Sequence, residues 1–194
     1  MLIKNEFQVA APIDKVWQFF GDIPQVAACL PGTELTDDLG NDKYVGRVAV
    51  RMGPVRLQFA GKADITERDE AATRGVVTAP GAEETGRGQA SRVVTATLAP
   101  AGRGTTVRVA QDLQLSGAAA QYGRGMISDV SAVLMRDFSV NLADRIDRVE
   151  RGEVVTGAAT AASPASGFTL GMRAAVMALR RVFRRFFVPY QAAS

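Results

Sequence analysis

The chain has 194 residues, 47% hydrophobic and 22% charged, a composition that supports one folded core plus an appendage and excludes a mainly disordered polymer. Its single cysteine, Cys29, excludes an internal disulfide, and the absence of histidine removes the commonest general base and metal ligand and any histidine-based triad. The net charge of +3 hides two unlike parts: residues 1–150 carry 17 Lys and Arg against 19 Asp and Glu, whereas residues 151–194 carry 6 against 1. The slightly acidic body argues against nucleic-acid binding, and the basic tail points to an anionic partner, either lipid headgroups or an acidic protein surface.

The start, Met1 to Glu6, lacks the basic region and apolar run of a secretory signal, which predicts a cytoplasmic protein. Residues 2–9 read as a strand, and Ala11-Pro12-Ile13-Asp14 opens a helix, since proline suits a first turn where its missing N–H is not needed. Ile13, Val16, Trp17 and Phe20 then share one helical face. Gly21 ends this helix, and Asp22 is placed to cap a second, short one that stops near the turn Leu30-Pro31-Gly32. From Thr33 to Ser116 the pattern becomes strands broken by turns at Asp38 to Asp42, Gly53-Pro54, Arg68 to Glu70, Ala82 to Gly86 and Pro100 to Gly104, a meander of antiparallel hairpins.

Alternation assigns the faces. Val55, Leu57, Phe59, Ala63 and Ile65 oppose Arg56, Gln58, Lys62 and Asp64, and Val107, Val109, Leu113 and Leu115 oppose Arg108, Asp112 and Gln114. The sheet therefore has one wet face and one covered face. The cover is a long helix from about Gly117 to Arg151, on which Tyr122, Met126, Val130, Leu134, Phe138, Leu142 and Ile146 form a stripe. Residues 1–152 make up this folded body.

Residues 153–167, rich in Ala, Thr, Ser and Gly, read as a flexible linker, and residues 168–188 return to helical periodicity. There Phe168, Met172, Val176, Leu179, Phe183, Phe186 and Phe187 gather on one side, with Arg173, Arg180, Arg181, Arg184 and Arg185 on the other. A helix of bulky apolar residues backed by arginines fits a membrane surface carrying anionic lipid, and no window reaches the ~18 apolar residues of a spanning helix. The alternative is a helix that docks on a protein groove. The membrane reading predicts a peripheral protein on the inner face of the cell membrane.

The order strand, two short helices, antiparallel strands, long helix resembles the helix-grip fold of the START-like or SRPBCC superfamily (Bet v 1-like), an α+β class in which a curved sheet grips a long helix around an apolar cavity. The local wording is more specific: Phe7-x-Val9-x-Ala11-Pro12-x-x-x-Val16-Trp17, then Asp22, Ala28-Cys29-Leu30-Pro31-Gly32, Tyr44-x-Gly46-x-Val48-x-Val50-x-x-Gly53-Pro54-Val55 and Gly86-x-Gly88-x-Ala90-Ser91. Over residues 1–150 these resemble the CoxG family of carbon monoxide dehydrogenase proteins. The resemblance implies an accessory protein of a molybdenum-containing carbon monoxide dehydrogenase or a related molybdenum hydroxylase, associated with the membrane and not itself catalytic.

Such a role suggests a cavity occupant. A dehydrogenase that feeds electrons to the respiratory chain needs a quinone, and menaquinone or ubiquinone would suit an apolar tunnel with one or two hydrogen-bond donors. Phe20, Leu57, Phe59, Val109, Leu113, Met126, Val130 and Leu134 are the expected apolar lining, with Tyr44, Gln121 and Tyr122 as expected donors. Gly117, Ala118, Ala119, Gly123 and Gly125 are too small to fill the space under a wide sheet. Cys29 reads as a structural thiol beside a turn, and Gly86-x-Gly88 and Gly123-x-Gly125 read as turn or packing glycines, lacking the lysine or acidic partner of a phosphate loop. Because the strand faces and the helix stripe read as almost wholly apolar, holding a greasy molecule is favoured over transforming it. A cyclase-type enzyme, which would need buried polar groups in the cavity, and a ligand-free assembly adaptor remain alternatives.

Overall fold

The structure, a computed structural model, describes residues 1–86 and 88–153. In chain order the elements are β1 (Leu2–Val9), α1 (Ile13–Gly21), α2 (Ile23–Cys29), β2 (Thr33–Gly40), β3 (Lys43–Met52), β4 (Val55–Asp69), β5 (Arg74–Glu83), β6 (Gln89–Ala101), β7 (Gly104–Leu115) and α3 (Arg124–Glu150). The strands form one antiparallel sheet in the order β1-β7-β6-β5-β4-β3-β2, so the meander from β2 to β7 is closed by β1, which pairs with β7 from Leu2↔Asp112 to Val9↔Thr105. This is the expected helix-grip arrangement. The linker and the amphipathic segment, including Phe168, Arg173 and Phe183, lie outside the described residues.

Local chemistry explains the bends. The β2–β3 turn is tighter than the five residues expected: only Asn41 and Asp42 lie between the strands, at φ 51° and 59°. Two adjacent left-handed residues make the mirror-image turn whose twist matches that of paired strands, and Asn and Asp tolerate that conformation. Asp22 caps α2 as expected, its Oδ1 accepting from the Gln25 amide at 3.2 Å. After Pro31 the chain reverses at Gly32, φ 74°, where any Cβ would run into the Ala49 carbonyl, so this turn requires glycine.

The expected helix over Gly117 to Arg151 is broken. Gly117–Gln121 form a 3-10 turn, Tyr122 and Gly123 are extended, and α3 starts only at Arg124. Gly117 sits at φ 66°, and a run of small residues offers no apolar face to hold a first helical turn in place.

The interior packs as two clusters. One joins α1, α2 and the second half of α3: Val16 and Leu142 are fully buried, and Phe138 receives the edges or faces of Phe7 and Phe20 at centroid distances of 5.8 and 6.2 Å. Phe19, 9% exposed, is a core residue that the expected α1 face omits, while Ile13, Trp17 and Phe20 are partly buried around it. The other cluster joins Ile3, Met52 and Leu57 to Ala119, Ile127 and Val130.

Candidate functional site

Strand register fixes which residues face α3. Unbroken pairing carries the inward set from Val107 and Leu98 through Val109 and Ala96, Gln111 and Val94, Leu113 and Arg92, to Leu115 and Ala90. The same rows continue to Ala79 opposite Arg92 and to Gly81 opposite Ala90, and from Gly81 to Gly61. Along β4, β5 and β6 six of the inward positions are small: Gly61, Ala63, Ala79, Gly81, Ala90 and Ala96. They retain partial exposure although they lie on the covered face. The covered face over these small residues, between the two packed clusters, is the candidate chamber.

Its lining is not wholly apolar, which corrects the expectation. Asn5, Gln111 and Arg92 occupy inward positions on β1, β7 and β6, each one diagonal step from the next across neighbouring strands. Ser131 of α3 closes part of this row: its Oγ accepts from Asn5 Nδ2 at 3.3 Å and from Gln111 Nε2 at 3.2 Å. Gln111 is 6% exposed, so this polar seam is built into the interior between the clusters. Glu83, 5% exposed, faces inward opposite Phe59, and its carboxylate accepts from the amide and hydroxyl of Thr85.

Arg92 differs from these. Neither an ion pair nor a hydrogen bond holds it among the described residues. Burial of the guanidinium pulls its pKa below the usual arginine value. Neither Gln111 nor Arg92 was expected at the site. Gln111 stands in the alternation of Val109 and Leu113 and is legible there; reading β6 the same way from Leu98 back to Val94 reaches Arg92.

The expected cavity residues divide among several surroundings. Leu57, Val130, Phe59, Leu113, Leu134 and Tyr122 gather in the second cluster, and Phe20 and Val109 in the first. Met126 is 44% exposed, because the start of α3 at Arg124 turns Ile127 inward instead. Gln121 is exposed at the end of the 3-10 turn, so as an expected donor it faces solvent. Tyr44 lies at the other end of β3 from Met52, where burial first, then the charges of Asp38 and Asp42, raise its pKa and keep the phenol protonated.

A groove of about 600 Å3 crosses the sheet along the row Gly61, Gly81, Ala90 and Leu115, with the outward residues Lys62, Pro80, Ser91 and Gln114 in its walls. None of the expected cavity residues lines it. Cys29 is completely buried, and burial raises its thiol to about 11, with Arg145 opposing the shift and Asp144 adding to it. Its carbonyl accepts from Asn141 Nδ2 at 2.9 Å, tying the Cys-Leu-Pro-Gly turn to α3. A protonated, inaccessible thiol is no nucleophile, and the structural reading of this motif stands. Among the described residues no group of three or more Cys, Asp or Glu side chains is arranged to hold a metal, and no helix is long and apolar enough to cross a membrane.

Compared with known families, residues 6–147 match CoxG, a family of carbon monoxide dehydrogenase subunits. The chain belongs to the CoxG family. Membership associates it with a carbon monoxide dehydrogenase. No curated relative matches the chain. Among solved structures, a conserved protein from Geobacillus kaustophilus superposes with a TM-score of 0.68 at 18% identity, over 76% of this chain and 96% of that one. An aromatase/cyclase from a Streptomyces species gives a TM-score of 0.57 at 16% identity, over 79% of this chain and 99% of that one. At these identities the likeness speaks for the shared fold alone, which this CoxG chain builds with its own interior residues.

Proposed function

We propose that this chain is a non-catalytic accessory protein of a molybdenum-containing carbon monoxide dehydrogenase, which carries a respiratory quinone in its body and reaches the bilayer through its basic C-terminal segment. The observation that supports the reading best is a covered sheet face that carries small residues and is flanked by apolar clusters, in a chain of the CoxG family. Menaquinone or ubiquinone supplies an apolar tail for Leu57, Phe59 and Leu113 and carbonyl oxygens for a donor. The arginine side of residues 168–188 supplies the attraction to anionic lipid, about 1 kcal/mol for each cation near the surface.

The buried polar seam and Glu83 favour a second reading, a cyclase-type enzyme. Against it, the amides of Asn5 and Gln111, the Ser131 hydroxyl and the Arg92 guanidinium neither release nor take up protons near neutral pH, so the seam is suited to hold and orient a molecule. Vesicles of anionic lipid doped with menaquinone separate the parts of the proposal. Full-length protein is expected to co-sediment with them at low salt, to release as salt rises, and to accelerate quinone transfer to acceptor vesicles. Phe183→Asp with Phe186→Asp is expected to abolish sedimentation. Binding unaffected by that double substitution would overturn the membrane role, and transfer no faster than without protein would overturn the carrier role.

A further inference from the structure

We propose that Arg92 is the head-group anchor of the chamber: its occupant carries an oxygen-acceptor head, a carbonyl or a carboxylate, that takes the guanidinium's hydrogen bonds. This deepens the carrier reading and rests on its claim that the chamber holds a ligand. The position is set by register, since Arg92 pairs with Leu113 on one side and Ala79 on the other, with no bulge anywhere along β6 and β7. Ala79, Gly81 and Ala90, its neighbours on the same face, are small, and Gln111 lies one diagonal step away, about 7–8 Å between Cα atoms and within reach of a long side chain.

Arginine stays charged in proteins, and a partly buried cation without a counter-charge costs the fold that holds it. No acidic residue follows Glu153 in the sequence, and Glu153 already pairs with Arg148 and Arg151. Groups that cost stability and lack a partner within the chain gather at binding sites, where the ligand supplies the missing half. Here the missing half is an acceptor, and the guanidinium fork fits a carboxylate with two bonds or a quinone carbonyl with one.

The test titrates the full chain with three probes: a short-tailed menaquinone, dodecanoate, and 2-methylnaphthalene, which has no acceptor. Quenching of Trp17, the single tryptophan, reports the aromatic probes and calorimetry reports dodecanoate. Arg92→Gln is expected to weaken at least one of the two headed probes by about ten- to a hundredfold, the magnitude of a lost hydrogen bond to a charged group. The acceptor-free probe should change less than twofold. Whichever headed probe loses more identifies the head as carbonyl or carboxylate, and Arg92→Lys should recover part of the loss. Arg92→Met should raise the melting temperature of the ligand-free chain, which a merely structural arginine would lower. Unchanged affinity for both headed probes, or equal loss for all three with a lowered melting temperature, would overturn the assignment while leaving the chamber. Failure of the wild-type chain to bind any probe would overturn the chamber and the anchor together.

Discussion

Ser131→Ala probes how dry the chamber is. The hydroxyl is the acceptor for both Asn5 Nδ2 and Gln111 Nε2, so one substitution orphans two amide donors. Leaving a buried donor unsatisfied costs about 1–3 kcal/mol, and Gln111, 6% exposed, is placed to bear that cost while the partly exposed Asn5 bears less. The total comes to about 2 kcal/mol, or roughly 4–8 °C in melting temperature for a body of this size. Urea unfolding followed through Trp17 fluorescence measures it, with an unchanged slope showing that the compactness of the two states is preserved. A control that also replaces Asn5 and Gln111 by Leu removes the donors and should recover most of the loss, because a polar group deleted with its partner leaves nothing unsatisfied. A cost of Ser131→Ala below about 0.5 kcal/mol would refute the reasoning, showing that water already solvates the two amides and that the seam lies in a wet space.

Two further predictions concern the core and the chamber wall. The Cys29 thiol, an acid raised from 9.0 to about 11 by burial, contributes stability that is fully present below pH 9 and lost as pH rises toward 11, on the order of 2–3 kcal/mol. The urea midpoint should fall between pH 8.5 and roughly 10.5 in the wild type more than in Cys29→Ala, and a parallel fall in both would count against it. Leu142→Ala, at a fully buried site, should cost about 2–5 kcal/mol, whereas Val77→Ala, at a half-buried site on β5 that pairs with Val94 on the covered face, should cost about 1 kcal/mol or less if the chamber is open beside it. Equal losses would mean that the chamber is packed.

What the sequence made legible was decided by strong local signals. Asp22 before a short apolar run, Pro31-Gly32, and the alternation of β4 and β7 specify their turns and faces almost without tertiary help, so the sheet, its wet side and the covering helix follow from them. The start of α3 did not, because Gly117 to Gly125 carries no periodicity and only contacts such as those of Ala119 and Tyr122 with the second cluster settle it. That shift moved Met126 and Gln121 outward and brought Ile127 in. The polar seam was missed for a different reason. Gln111 and Arg92 look like wet-face residues by hydropathy alone, and the alternation that reaches them from Val109 and Leu98, confirmed by pairing register, outranks their polarity. An apolar pattern finds the walls of a chamber more readily than the few polar groups that orient its occupant.

Native mass spectrometry with lipid extraction tests the carrier role most directly, on protein purified from a quinone-containing host, comparing the full chain with one truncated after residue 152. A quinone retained by both forms, with only the full chain sedimenting with anionic vesicles, is the expected result. No quinone in either form, from a host whose membranes contain it, would contradict the carrier role and leave association with the dehydrogenase as the function to explain.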